Sequence, residues 1–123
     1  MRRIVVAEDE PAISAFLCQL LELEGYDVMP VRDGARALEI IKNGSPDLVV
    51  LDIMMPSLDG ISVLKAMRED HRTKTVPVVM TTAKTDDETT WAGWTTGCDY
   101  YLTKPFEPED LLAAIHRMLS GDN

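Results

Sequence analysis

The run Leu48-Val49-Val50-Leu51, followed at once by Asp52 and stopped by Pro56, constrains the fold more than any other stretch. Four consecutive apolar residues rich in Val and Leu show no alternation, so neither face of such a strand can meet water. A strand of that kind belongs in the middle of a parallel sheet covered on both sides. A charge at the end of a buried strand costs free energy unless something pairs with it. In open α/β sheets, ligand sites lie just beyond the carboxyl ends of the strands. Asp52 therefore stands where chemistry is expected, and its partners should sit at the other strand ends.

The rest of the chain supplies those strands. Residues 3–7 form a short β-branched run ending in Glu8-Asp9-Glu10, and Pro11 suits the first turn of a helix. That helix carries Ile13, Phe16, Leu17, Leu20 and Leu21 at helical spacing, and Gly25 provides a left-handed stop. Residues 26–31 make a second, weaker strand, which Pro30 marks as an edge strand or one that ends early. Asp33-Gly34 opens a second helix with Ala37, Leu38 and Ile41 inward, closed by Asn43-Gly44, with Lys42 at its negative end. A turn at Ser57-Leu58-Asp59-Gly60 leads into a third helix with Ile61, Leu64 and Met67 inward.

Residues 76–80 read as the fourth strand, ending in Thr81-Thr82-Ala83. Residues 86–96 form the weakest helix, interrupted by threonines and Gly93, with Trp91 and Trp94 on one side. Trp94 is expected against the core, and Trp91 is either an exposed anchor for a partner or a dimer mate or, like Trp94, buried packing. Residues 99–103 are the fifth strand, leading into Lys104-Pro105-Phe106. Pro108 starts a last helix with Leu111, Leu112, Ile115, Met118 and Leu119 on one face. The β-α alternation, five times over without a linker, predicts one α/β domain over residues 1–123, a parallel sheet with five helices on both faces.

At 123 residues such a domain buries about two-thirds of its unfolded surface. With 21 acidic and 12 basic residues, the net charge of −9 repels phosphate backbones, so direct nucleic-acid binding by this chain is not expected. No apolar run approaches a membrane span or a signal-peptide core, and neither Cys18 nor Cys98 has a neighbour at metal-ligand spacing. A reducing, cytoplasmic setting is the expectation.

In a doubly wound sheet the strand ends converge, bringing together Glu8 and Asp9, Asp52, Thr82 and Lys104. Three carboxylates in one cleft repel each other and call for a cation. Hard oxygen ligands without His or Cys favour Mg2+ with several retained waters. The lysine is a second cation that can hold an anion brought by a substrate. A carboxylate nucleophile, a magnesium ion, a lysine and a hydroxyl together suit phosphoryl transfer to aspartate, with Asp52 attacking in line.

These same residues carry a resemblance. The segments Ile4-Val5-Val6-Ala7-Glu8-Asp9-Glu10-Pro11, Leu51-Asp52-Ile53-Met54-Met55-Pro56 through Asp59-Gly60, Thr82-Ala83, and Asp99-Tyr100-Tyr101-Leu102-Thr103-Lys104-Pro105-Phe106 follow in the order found in receiver domains of two-component response regulators. The chain resembles that family over nearly its whole length. The resemblance implies a flavodoxin-like sheet in strand order 2-1-3-4-5. It implies that Asp52 is the phosphoacceptor, that Glu8, Asp9, Asp52 and the Met54 carbonyl serve the metal, and that Thr82 and Lys104 grip the phosphoryl group. Tyr101 would be the aromatic switch, and the Lys104-Pro105 bond would be cis. The donor would be a phosphohistidine of a sensor histidine kinase or a histidine phosphotransfer protein. Phosphorylation would bias the surface of the fourth helix, fifth strand and fifth helix toward a downstream protein or output domain, and the acyl phosphate would be slowly self-hydrolysed.

Three other readings stand beside this one. An aspartate-nucleophile phosphohydrolase typically carries a second Asp two residues past the nucleophile, where this chain has Met54. A flavodoxin-like cofactor binder needs a phosphate loop after the first strand, where this chain is acidic. A receiver-like interaction domain that works without phosphorylation is the remaining alternative. Met54 and Lys84, each two residues past a site residue, are expected to flank the route of hydrolytic water.

Overall fold

The computed structural model describes residues 1–83 and 87–120, and of residues 87–90 the backbone alone. Five strands alternate with five helices: β1 (Arg3–Ala7), α1 (Pro11–Leu23), β2 (Asp27–Val31), α2 (Gly34–Gly44), β3 (Leu48–Asp52), α3 (Gly60–Glu69), β4 (Val78–Thr82), α4 (Asp87–Thr96), β5 (Tyr100–Thr103) and α5 (Pro108–Ser120). The strands form one parallel sheet in the order β2-β1-β3-β4-β5. β3 is central and buried at every residue, as its unbroken apolar run requires.

Strand residues alternate between two apolar layers. Val5, Val49, Leu51, Val78 and Met80 point to the layer of α2 and α3, where Ala37, Ile41, Leu64 and Met67 are buried. Ile4, Val6, Leu48, Val50 and Val79 point to the layer of α1 and α5, filled by Leu17, Leu21, Leu111 and Ile115. β2 is an edge strand, so Pro30, opposite Val6, fits without breaking the sheet. No helix among the described residues is long and apolar enough to cross a membrane.

Several boundaries differ from expectation. β4 runs two residues later than 76–80, because Pro77 has no N–H and Val76 N–H is spent on a turn to the Thr73 carbonyl. The left-handed residue after α2 is Ser45 (φ 48°), with Gly44 still helical. Phe16 is half-exposed, leaving Leu17 and Leu21 as the buried centre of α1.

Trp94 does not reach the core. It is 46% exposed and Trp91 is 70% exposed. Among residues 91–96 of α4 the buried one is Gly93, where even a Cβ would stand 3.3 Å from the Tyr101 ring. Packing α4 that close turns both indoles outward.

Arg68, at the end of α3, ties the start of β5 to its surroundings. Its guanidinium donates to the carbonyls of Gly97 (2.9 Å), Val76 (2.8 Å) and Lys74 (3.2 Å) and to the Asp99 carboxylate (3.1 Å).

Candidate functional site

Each candidate residue sits where a strand gives way to a loop. Glu8 follows β1 and is buried, Asp52 ends β3 and is buried, and Thr82 ends β4 and is buried. Asp9, beside Glu8, is exposed at the rim. Lys104 follows β5, and its backbone N–H donates to the Thr82 carbonyl at 2.8 Å, joining the last two strand ends. The Lys104-Pro105 peptide is cis.

The Lys104 side chain reaches back across the sheet. Its Nζ donates to Glu8 Oε1 at 2.6 Å and to Asp52 Oδ2 at 3.0 Å, tying together residues 96 and 52 positions away. Glu8 Oε2 accepts from the Glu10 backbone N–H at 3.1 Å, and Asp52 Oδ1 accepts from the Met54 backbone N–H at 3.0 Å. Both buried carboxylates therefore have one oxygen on the ammonium and the other on a backbone amide.

Burial pushes the Glu8 carboxyl up from its ordinary range, and the nearby Asp52 charge adds to this; hydrogen bonds from Lys104 and the Glu10 amide only partly offset them. For Lys104, burial acts to lower the ammonium pKa, but the hydrogen bonds to Glu8 and Asp52 outweigh it and the net shift is upward. Lys104 is accordingly a cation throughout the physiological range.

Glu8, Asp9 and Asp52 each offer a carboxylate oxygen, and these atoms lie within 4.8 Å of one another. Two of the three carboxyl groups hold the Lys104 ammonium, and the donors are all hard oxygens. That set fits a small divalent cation such as Mg2+ better than a soft transition metal.

The remaining sequence candidates fall around this centre. Met54 exposes its side chain, and its amide is the one held by Asp52. Tyr101 is half-buried on β5 opposite Met80, with its ring against Gly93. Lys84 lies outside the described residues. His71 and His116 are exposed and away from the strand ends.

Sequence reasoning missed what holds the β3–α3 loop. Gly60 approaches β3 so closely that a Cβ there would run into the Asp52 carbonyl oxygen, and Gly60 N–H donates to the Ile53 carbonyl at 2.8 Å. Ser57, in the left-handed region at φ 65°, bonds through its hydroxyl to the start of α2. Asp33-Gly34 was readable as a helix start and Ser57-Leu58-Asp59-Gly60 as a turn, but nothing local says that they meet.

The family model described as "Response regulator receiver domain" matches residues 4–116. The DNA-binding dual master transcriptional regulator RpaA of Synechocystis is 40% identical over 119 residues, which are 97% of this chain and 49% of that protein. The chain thus spans about half the length of the curated relatives it matches. Among solved structures, the receiver domain of a Francisella response regulator superposes with a TM-score of 0.91 at 33% identity, covering 100% of both chains. The receiver domain of a Pseudomonas aeruginosa sensor histidine kinase, described with a magnesium ion coordinated in its active-site cleft, gives a TM-score of 0.90 at 27% identity over 97% of this chain and 98% of that one.

These relatives overturn the expectation that nucleic acid is excluded as a partner. RpaA is named as DNA-binding and is about twice as long as this chain. The charge of −9 describes only the residues given, so its repulsive field does not bear on what the remainder of such a regulator binds. With its matching family model, its sheet order and its relatives in agreement, the chain belongs to the response regulator receiver domain family.

Proposed function

We propose that Asp52 accepts a phosphoryl group from a phosphohistidine of a sensor histidine kinase or a histidine phosphotransfer protein. The observation that carries this reading is the Lys104 ammonium bridging the buried Glu8 and Asp52 carboxylates, with Asp9 at the rim. An Asp52 carboxylate oxygen forms the new P–O bond while the P–N bond breaks and the imidazole nitrogen leaves with the electron pair. Lys104 faces the charge that develops on the transferring oxygens, and it can do so without moving far from Asp52 Oδ2. A magnesium ion held by Glu8, Asp9, Asp52 and the Met54 carbonyl would supply further neutralisation of that charge. The oxygen-only donor set and the magnesium described for the Pseudomonas aeruginosa relative support this choice.

Thr82, at the end of β4, is the proposed hydroxyl partner of the new phosphoryl group, and Tyr101 the ring that follows its movement. The tight fit of Tyr101 against Gly93 supports a link from that ring to α4. The surface of α4, β5 and α5 then differs between the two states. On the strength of the DNA-binding relatives, the output it governs is of the DNA-binding class. The free thiols are consistent with the cytoplasm as its compartment.

The test is intact mass after incubation with acetyl phosphate, with and without magnesium, beside Asp52→Asn. The expected result is one magnesium-dependent phosphoryl adduct that the variant lacks. No adduct, or one that persists in Asp52→Asn, would refute the acceptor assignment and favour an interaction domain that works without phosphorylation.

A further inference from the structure

The start of α2 and the loop between β3 and α3 are bolted to each other, although 24 residues separate Asp33 from Ser57. Ser57 Oγ donates to Asp33 Oδ1 at 3.1 Å and accepts from the Ala35 backbone N–H at 3.1 Å. Gly34 N–H donates to the Pro56 carbonyl at 3.0 Å, and a Cβ on Gly34 would collide with the Leu58 carbonyl. Two of the N–H groups that a helix start leaves unsatisfied are therefore taken up by the β3–α3 loop. Asp33 Oδ1 caps a third by accepting from Arg36 N–H at 2.8 Å.

Ser57 holds a backbone conformation that L-residues rarely adopt, at φ 65°. Such a conformation persists where the surroundings over-determine it: here the Leu58 N–H closes the turn around Ser57 by donating to the Pro56 carbonyl at 2.8 Å, and the two bonds of the hydroxyl hold that turn against α2. The other end of the loop is held by Gly60 N–H on the Ile53 carbonyl. Between these anchors lies Met54, whose amide holds Asp52 Oδ1.

We infer that Ser57 and Asp33 are positioning residues for the acceptor site. By holding the loop against α2, they set where the Met54 amide and carbonyl stand, and through the amide they set the orientation of the Asp52 carboxylate. The inference rests on the acceptor reading above and adds to it a control exerted from α2.

Ser57→Gly separates positioning from folding. Glycine keeps the positive-φ backbone at no steric cost and removes the hydroxymethyl group with both of its bonds. Ser57→Asn is the rescue variant, since asparagine tolerates positive φ and its amide offers an acceptor and a donor in place of the hydroxyl. Magnesium affinity of the unphosphorylated protein would be measured by titration calorimetry, together with Tm and the rate of adduct formation from acetyl phosphate.

Loss of the two exposed hydrogen bonds of the hydroxyl, one of them to the Asp33 carboxylate, predicts magnesium affinity at least about fivefold weaker in Ser57→Gly, slower phosphorylation, and recovery in Ser57→Asn. Unchanged affinity and rate in Ser57→Gly, whether or not Tm falls, would make the link a helix cap only and overturn the inference while leaving the acceptor reading intact. A wild-type protein that takes up neither magnesium nor phosphate would overturn both.

Discussion

Replacing Arg68 with alanine removes a guanidinium that reaches two backbone segments at once, residues 73–76 and Gly97, and the cost can be worked from its contacts. The short bonds are those to Val76 O (2.8 Å) and Gly97 O (2.9 Å); the bond to Lys74 O at 3.2 Å is exposed, so water can take its place, and the contact with Thr73 O at 3.4 Å is too long to count fully. The ion pair with Asp99 is discounted, because the Asp99 carboxylate is 46% exposed and keeps its bond from Val78 N–H at 2.8 Å. Two half-buried carbonyls are thus left without their donor, each costing about 1–2 kcal/mol, and the total is about 2–4 kcal/mol. For a domain of this size that corresponds to a fall in Tm of about 8–16 °C by calorimetry. Lysine should not restore it, since one ammonium cannot span acceptors arranged around a planar fork. Hydrogen exchange offers a second readout: the amides of Cys98 and Asp99, bonded to the Gly93 and Val78 carbonyls, should lose protection before Val50 in β3 does. A Tm change below about 3 °C would refute the reasoning by showing that water replaces the guanidinium freely, and recovery in Arg68→Lys would refute it by showing that the planar fork is not needed.

Four further outcomes are expected, three from the structure and the last from the sequence. Leu51→Ala empties a fully buried position beside Ala7 and Met80 and should cost about 3–5 kcal/mol in urea unfolding; a loss under about 1 kcal/mol would mean the layer collapses around the gap. Gly60→Ala puts a Cβ onto the Asp52 carbonyl, so it should lower Tm and also slow uptake of phosphate from acetyl phosphate, and wild-type values for both would contradict the close approach. Burial pushes the Cys98 thiol up from 9.0 to about 11, so the thiol form stabilises the fold fully below the unfolded pKa and that contribution is lost as pH rises through the folded one. Between pH 9 and 11 the wild type should therefore lose stability more steeply than Cys98→Ala, and parallel curves would exclude this. Finally, a Met54→Ala, Lys84→Ala double variant should take up phosphate normally and lose it at an altered rate by intact mass, an unchanged decay being the refuting result.

Most of the site was legible because its residues occupy strand ends, and strand ends can be found from apolar runs alone. Glu8, Asp9, Asp52, Thr82 and Lys104 each follow such a run, and parallel pairing brings those ends to one edge of the sheet. The loop that steadies Asp52 was not legible. Gly34 and Ser57 look like ordinary turn residues until Leu58 and Asp33 are seen beside them. Likewise no periodicity distinguishes the tryptophans of α4 as buried or exposed.

Local chemistry sufficed wherever one short stretch decides an outcome. The unbroken run in β3 needs burial on both faces, Asp33 and Asp59 cap the helices that follow them, and Pro30 is compatible only with an edge. Tertiary packing decided whatever depends on a second segment. It put Gly93 rather than Trp94 against Tyr101, started β4 at Val78, and carried the Lys104 ammonium to Glu8 and Asp52. Propensity and capping act within a few residues of chain. Close approach, shared hydrogen bonds and the pairing of buried charges are properties of space, and they exist only once the sheet has brought distant residues together.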